Sequence, residues 1–120
     1  MGSKARVFLY VALTALMACA TVPAPTAEMA VAEAAVANAT QAGAMQWAPA
    51  EMRSAQDKLV RARSAMASKE HGQALMLAHE VNADAQVAAV AARAAKAQRA
   101  ADEVQEANRV LREELARKAP

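Results

Sequence analysis

With 120 residues, one cysteine and three aromatic side chains, the chain has room for one small domain and none for an internal disulfide or a cysteine-based metal knuckle. The formal charge of +2 invites a nucleic-acid reading, but setting Lys4 and Arg6 aside with the N-terminal segment leaves twelve basic residues against twelve acidic. No basic patch is interleaved with aromatics, so nucleic acid is not an expected partner. Alanine is the commonest residue; its methyl buries little, about 0.8 kcal/mol per carbon, yet no residue favours a helix more, so the composition predicts closely approaching helices around a thin core.

Residues 1–6 carry Lys4 and Arg6 and no acid, and Val7 to Ala18 is apolar apart from Thr14. A run of twelve residues spans about 18 Å as a helix, short of the ~30 Å hydrocarbon core of a bilayer. It fits the apolar region of a secretory signal. Leu16-Met17-Ala18-Cys19 closes the run. Leucine three positions before a cut, a small residue just before it and cysteine just after match the bacterial lipobox. Leu16, Met17 and Ala18 are therefore the expected signal-peptidase recognition residues. Cys19 is the expected lipidation site, carrying acyl chains of the palmitate kind, and residues 1–18 are the expected signal peptide. An uncleaved anchor, or a plain signal peptide cut near Ala20, are the competing readings. Each buried acyl CH₂ contributes about 0.8 kcal/mol, so the membrane is the first expected partner. By resemblance to enterobacterial lipoproteins, Ala20 in place of an aspartate after the cysteine implies the periplasmic face of the outer membrane rather than the inner membrane.

Residues 19–26 hold Pro23 and Pro25, which favour extended geometry and predict a short tether. Residues 27–120 are the expected helical domain. Thr26 is a candidate N-cap and Glu28 suits a first turn, so a helix is predicted over 27–42, stopped by Gly43. Met29, Ala32, Val36 and Ala39 or Thr40 share one face of it. Residues 43–48 are predicted as a connection. Pro49 suits a first helical position, and Met52, Ala55, Leu59, Ala62 and Met66 step by three and four over a second helix at 49–68. After a break at 68–72, where Gly72 offers a flexible backbone, Ala74, Ala78, Val81, Ala85, Ala88, Ala92 and Ala95 repeat that spacing. Neither glycine nor proline interrupts 73–119, so one long helix is predicted over 71–118. The fold class is thus all-α: a short helix plus an antiparallel helical hairpin, like a three-helix bundle, with one long C-terminal helix. Towards its end Val104, Leu111 and Leu115 are the large apolar groups among many charges. They are either a solvated helix end or a surface for a partner or for self-association.

Candidate chemistry is sparse. His71 and His79 have no carboxylate or second histidine at i+3 or i+4, so no metal ligand set is expected. The three glycines are far apart and form no phosphate loop, and nothing places a serine in a strained nucleophilic turn. No cofactor and no catalytic residue is expected. Trp47 reads either as an exposed binding anchor or as a lid packed beside Pro49.

Trp47-Ala48-Pro49, then Ala55, Lys58-Leu59 and Ala62, then Ala74, Leu77-Ala78, Asp84-Ala85 and Ala88, resemble a domain-of-unknown-function family of small bacterial lipoproteins over about residues 29–115. Some of its members occur beside an OmpA-like peptidoglycan-binding domain. Lys69-Glu70-His71 stands where a Gly-Asp-Tyr-like turn would be. The resemblance implies an envelope location and supplies no activity. Taken together, the expectation is a lipid-anchored, non-enzymatic cell-envelope lipoprotein that presents helices to another envelope protein or to itself. A peptidoglycan-associated spacer resembling the murein lipoprotein is the alternative, against which Lys118 is followed by Ala119-Pro120.

Overall fold

The structure, a computed structural model, describes residues 22–120. Leu16, Met17, Ala18 and Cys19 lie outside the described residues. The described chain is all-helical, with a long C-terminal helix: α1 (Thr26–Ala42), α2 (Ala44–Trp47), α3 (Pro49–Ala67) and α4 (His71–Lys118).

Local chemistry explains the boundaries, in places differently from the sequence pattern. Thr26 is not a cap. It is already the first residue of α1 and makes no capping hydrogen bond, because the carbonyl of Pro25 accepts the first helical bond, from the Met29 N–H at 3.0 Å. Glu28 lies in the first turn, where the helix dipole favours a carboxylate. Gly43 ends α1 in the left-handed region at φ 84°, its N–H turned back to the carbonyls of Ala39 and Thr40. The segment after Gly43 is more than a connection. The Gly43 carbonyl accepts from the N–H groups of Gln46 and Trp47, closing α2 as a single turn. That turn brings half-buried Trp47 against the alanine-rich core, which favours the lid reading of this side chain. Pro49 then opens α3.

Gly43→Ala is expected to destabilise the fold. A Cβ there would stand 2.7 Å from Lys96 Nζ and 3.3 Å from Trp47 Cδ1. The lysine tip can swing away, whereas the left-handed backbone cannot be relaxed without undoing α2, so the lasting cost is about 1–2 kcal/mol. Thermal denaturation should show a melting temperature lower by roughly 4–8 °C per kcal/mol.

The turn between α3 and α4 departs from the expected use of Gly72. The left-handed residue is Lys69, at φ 59°. The Lys69 N–H donates to Met66 O at 3.1 Å and the Glu70 N–H to Ala65 O at 2.9 Å, the paired bonds of a Schellman stop. Gly72 lies inside α4, and a Cβ added there would meet nothing. The stop rests on backbone hydrogen bonds, without the glycine that usually marks it.

Both α1 and α3 pack along the first half of α4. One core layer joins Met29 and Ala32 of α1, Leu59 and Ala62 of α3, and Leu77, Ala78 and Val81 of α4. The other joins Ala39 of α1, Met52 and Ala55 of α3, and Ala85, Ala88, Ala89 and Ala92 of α4, with Ala44 and Ala48 closing the end. The start of α1 therefore meets the early turns of α4 and its end meets later ones. These two helices run in the same direction and α3 runs against them. Met52, Leu77 and Val81 are the largest fully buried side chains among the described residues. Most other contacts are alanine on alanine, which bring the helix axes close and gain dispersion from many small contacts.

Packing stops before α4 does. Its last buried residue is Ala92, and from Lys96 to Lys118 all but half-buried Glu114 are exposed. At 1.5 Å per residue α4 is about 72 Å long, and roughly 35 Å of it projects past the packed region. The projection leaves from the end opposite to the start of α1.

Candidate interaction surface

The polar groups of the packed region hold it together. Lys58 of α3 reaches Asp84 at 2.8 Å and Glu80 at 3.1 Å on α4, and the Ser54 hydroxyl donates to Asp84 at 2.8 Å. Arg63 pairs with Glu33 at 2.8 Å, tying α3 to α1, and Arg93 donates to Asn38 at 3.3 Å, tying α4 to α1. Hydrogen bonds from Lys58 and Ser54 hold the Asp84 carboxyl below its ordinary range, and the carboxylates of Asp84 and Glu80 raise the Lys58 ammonium.

Asp84 makes the stability of the packed helices depend on pH. Because its folded-state value is depressed, its contribution is complete above the unfolded carboxyl value near 3.8 and is lost as pH falls through the lower folded value. Asp84→Asn is expected to lower the melting temperature by a few °C at about pH 6 and to leave it close to the parent's at about pH 2, the size of a partly exposed ion pair. Equal losses at both ends of the range would show that the aspartate acts by packing alone.

The projecting segment has another character. Val104, Leu111 and Leu115, singled out by the sequence, are 60%, 58% and 62% exposed. Its charges pair along the helix. Arg99 meets Glu103 at 2.9 Å, Arg109 bridges Glu106 and Glu113, and Arg117 meets Glu114 at 3.0 Å. Glu113 therefore turns back to Arg109 rather than forward to Arg117, since one guanidinium can serve carboxylates three residues before it and four after it. Hydrogen bonds from Arg109 hold the Glu106 carboxyl below its usual range, and the two carboxylates hold the Arg109 guanidinium protonated. Exposed Met76, Val87 and Val90 also lie on α4. The sequence pattern does not single them out, because the stronger alanine repeat of the inward face already accounts for the helix.

Among the described residues no three His, Cys, Asp or Glu side chains gather as metal ligands. His71 is half-buried with its Nδ1 unpaired, and His79 is exposed on α4. No helix of the described chain is long and apolar enough to cross a membrane.

A family model described as "Domain of unknown function (DUF4398)" matches residues 27–104. The chain belongs to this family. The DUF4398 match takes in α1, α2, α3 and α4 as far as Val104. It therefore covers every packed helix and about the first third of the projection, and leaves Leu111 and Leu115 beyond it. Comparison with curated proteins and with solved structures finds no match to the chain.

Proposed function

We propose that this DUF4398 chain is a lipid-anchored lipoprotein of the bacterial cell envelope, acylated at Cys19 and held at the periplasmic face of the outer membrane, and that it works without catalysis by presenting helices to a protein partner. In this reading α1, α3 and the first half of α4 form a compact three-helix bundle in which α3 and α4 make the antiparallel hairpin. The observation that carries the proposal is the direction of the helices. Ala27 of α1 lies beside Ala78 and His79 of α4, so a tether leading into α1 enters at the end where α4 begins. Val104, Leu111 and Leu115 lie on the projection that leaves the other end. With the lipid at Cys19, the bundle would sit at the membrane and the exposed apolar residues would stand away from it, Leu115 about 55 Å beyond the level of Ala78 at 1.5 Å per residue. An anchored spacer with a sticky far end needs that polarity. An enzyme would need convergent polar groups in a pocket, whereas Lys58, Ser54, Asp84, Arg63 and Glu33 are engaged in tying the packed helices to one another.

The test is metabolic labelling with palmitate followed by fractionation. The wild-type chain is expected to take up label and to sediment with membranes, and Cys19→Ala to lose the label entirely. A Cys19→Ala chain that is labelled like the parent sinks the lipoprotein reading.

A further inference from the structure

The helix α4 carries two apolar stripes, of which its own chain covers one. The inward stripe includes Ala85, Ala88 and Ala92, all buried. Two residues on from each stand Val87, Val90 and Ala94, all exposed. Two residues are about 200° around a helix, so this second stripe faces away from the packed side of α4, with Val87 at its edge beside Glu51 and Ser54 of α3. It starts at Ala83 and steps 4, 3, 4 through Val87, Val90 and Ala94. It then continues without a break past the end of the packed region, through Ala97, Ala101, Val104, Asn108, Leu111 and Leu115, and all of these are exposed. A strict alternation of threes and fours over about 33 residues is the repeat of a coiled-coil seam, not of a helix face lying in water. In heptad terms Val87, Ala94, Ala101, Asn108 and Leu115 occupy a positions, and Val90, Ala97, Val104 and Leu111 occupy d positions.

The charges respect this seam. Along the projection Arg99, Glu103, Glu106, Arg109 and Glu113 pair with one another at b, c and f positions, away from it. The positions that flank it between Ala97 and Leu111 are Gln98, Ala100, Gln105 and Ala107. This neutral middle, with charges flanking the seam only nearer its ends at Asp84, Arg93, Arg112 and Glu114, offers little to select an oppositely charged partner, and in a parallel pair none of those four stands across from a like charge. Asn108 supplies the rest. A lone asparagine at an a position is an unfavourable choice in a seam unless it meets another amide. Its side chain both donates and accepts, so two copies satisfy each other when the helices lie parallel and in register.

We propose that α4 pairs with α4 of a second copy of this chain in a parallel, in-register, two-fold dimer, with Asn108 facing Asn108 across the seam. The contact strip is about 50 Å long and roughly 10 Å wide, the width of a helix, or on the order of 1,000 Å² for the two chains together. That is the lower bound for a specific interface, and alanine at a and d makes it a weak one, with dissociation in the micromolar range. Confinement of copies to one membrane in one orientation would raise their effective concentration and enforce the parallel alignment. The dimer rests on the helix-presenting role proposed above but not on the lipid, so the two can fail separately.

The experiment uses the full chain carrying Cys19→Ser, solubilised in mild detergent, so that an introduced cysteine is its only thiol. Val90→Cys and Val104→Cys, both at d, are each expected to form a disulfide dimer with their own kind on oxidation. Asp102→Cys, on the charged face, is expected to stay monomeric. An antiparallel pair centred on the strip would place Val90 opposite Asn108, and neither d variant would then crosslink homotypically. Sedimentation equilibrium should show a monomer–dimer balance that Val90→Asp with Val104→Asp weakens at least tenfold. Both valines are exposed in the single chain, so helicity by circular dichroism should not change. Asn108→Val should tighten association about tenfold and admit higher oligomers. A monomer at about 100 µM, equal crosslinking at Asp102→Cys, or no response to Asn108→Val overturns the proposal. If the dimer persists while Cys19→Ala keeps its palmitate label in cells, the lipoprotein reading alone has failed.

Discussion

Met52→Ala is expected to remove about 3 kcal/mol of stability, more than most single changes in this chain. Met52 is 0% exposed and belongs to a core layer that is otherwise alanine. In most cores, neighbouring large side chains relax into a new cavity and soften the loss. Here the buried residues of the layer are otherwise alanines, whose methyls on rigid helices cannot reach across a gap, and only half-buried Val36 and Trp47 at its edge carry larger side chains. The site therefore belongs near the middle of the roughly 2–5 kcal/mol range for removing a buried methionine. Helix propensity pulls the other way, because alanine is the better helix former, so any loss measured is packing. At about 4–8 °C per kcal/mol, the melting temperature should fall by more than about 10 °C. Met52→Leu keeps the volume and should cost less than about 1.5 kcal/mol. Val60→Ala, on the exposed side of the same helix at 65% exposure, should stay within about 0.5 kcal/mol. If Met52→Ala and Val60→Ala lose the same amount, this layer is not a packed core.

The helical class and the long last helix were legible because alanine propensity and the 3–4 apolar step act on the same residues, from Ala74 to Ala92. Gly43 and Pro49 were readable as stop and start because each backbone is restricted in the way its place requires. Three local details were not legible. Thr26 has the side chain of a cap, but Pro25 before it offers a carbonyl in the right place, and whether a hydroxyl or a carbonyl wins depends on geometry. Lys69 takes the left-handed turn that composition would give to Gly72, since two backbone hydrogen bonds back to α3 outweigh a penalty of about one or two kcal/mol. The single turn of α2 has four residues and no periodicity to show. The second stripe of α4 was half legible. Val104, Leu111 and Leu115 stood out because, Val110 apart, nothing else there is large and apolar. Val87 and Val90 share their spacing but are embedded in alanines that belong to the other face, and only exposure separates the two sets. Cys19 is a different kind of signal, a sequence address read by other proteins, which the packing of residues 22–120 neither needs nor reveals.

Ala88→Leu is expected to do comparable damage by the opposite means. Ala88 is 0% exposed and faces the same layer as Met52. By composition the change looks favourable, since leucine is nearly as good a helix former as alanine and each buried carbon would contribute about 0.8 kcal/mol if there were room. Room is what the fold lacks. Helices spaced by methyl groups have no groove for an isobutyl side chain, and any shift of α1 also strains its surface ties to both neighbours, Arg63 to Glu33 and Arg93 to Asn38. The cost of forcing them apart is about 1–3 kcal/mol or more. Urea denaturation should show a midpoint shifted down without a change of slope if α1 stays attached, and a reduced slope if it detaches and buries less surface in the native state. Ala101→Leu is the control that separates packing from chemistry. It makes the same change on the same helix, at an exposed position of the outer seam. It should leave the stability of the single chain within about 0.5 kcal/mol and strengthen the pairing of two chains. Alanine would then have two uses in one helix: where it faces α1 and α3 it is required, and where it faces outward it keeps the association of copies weak.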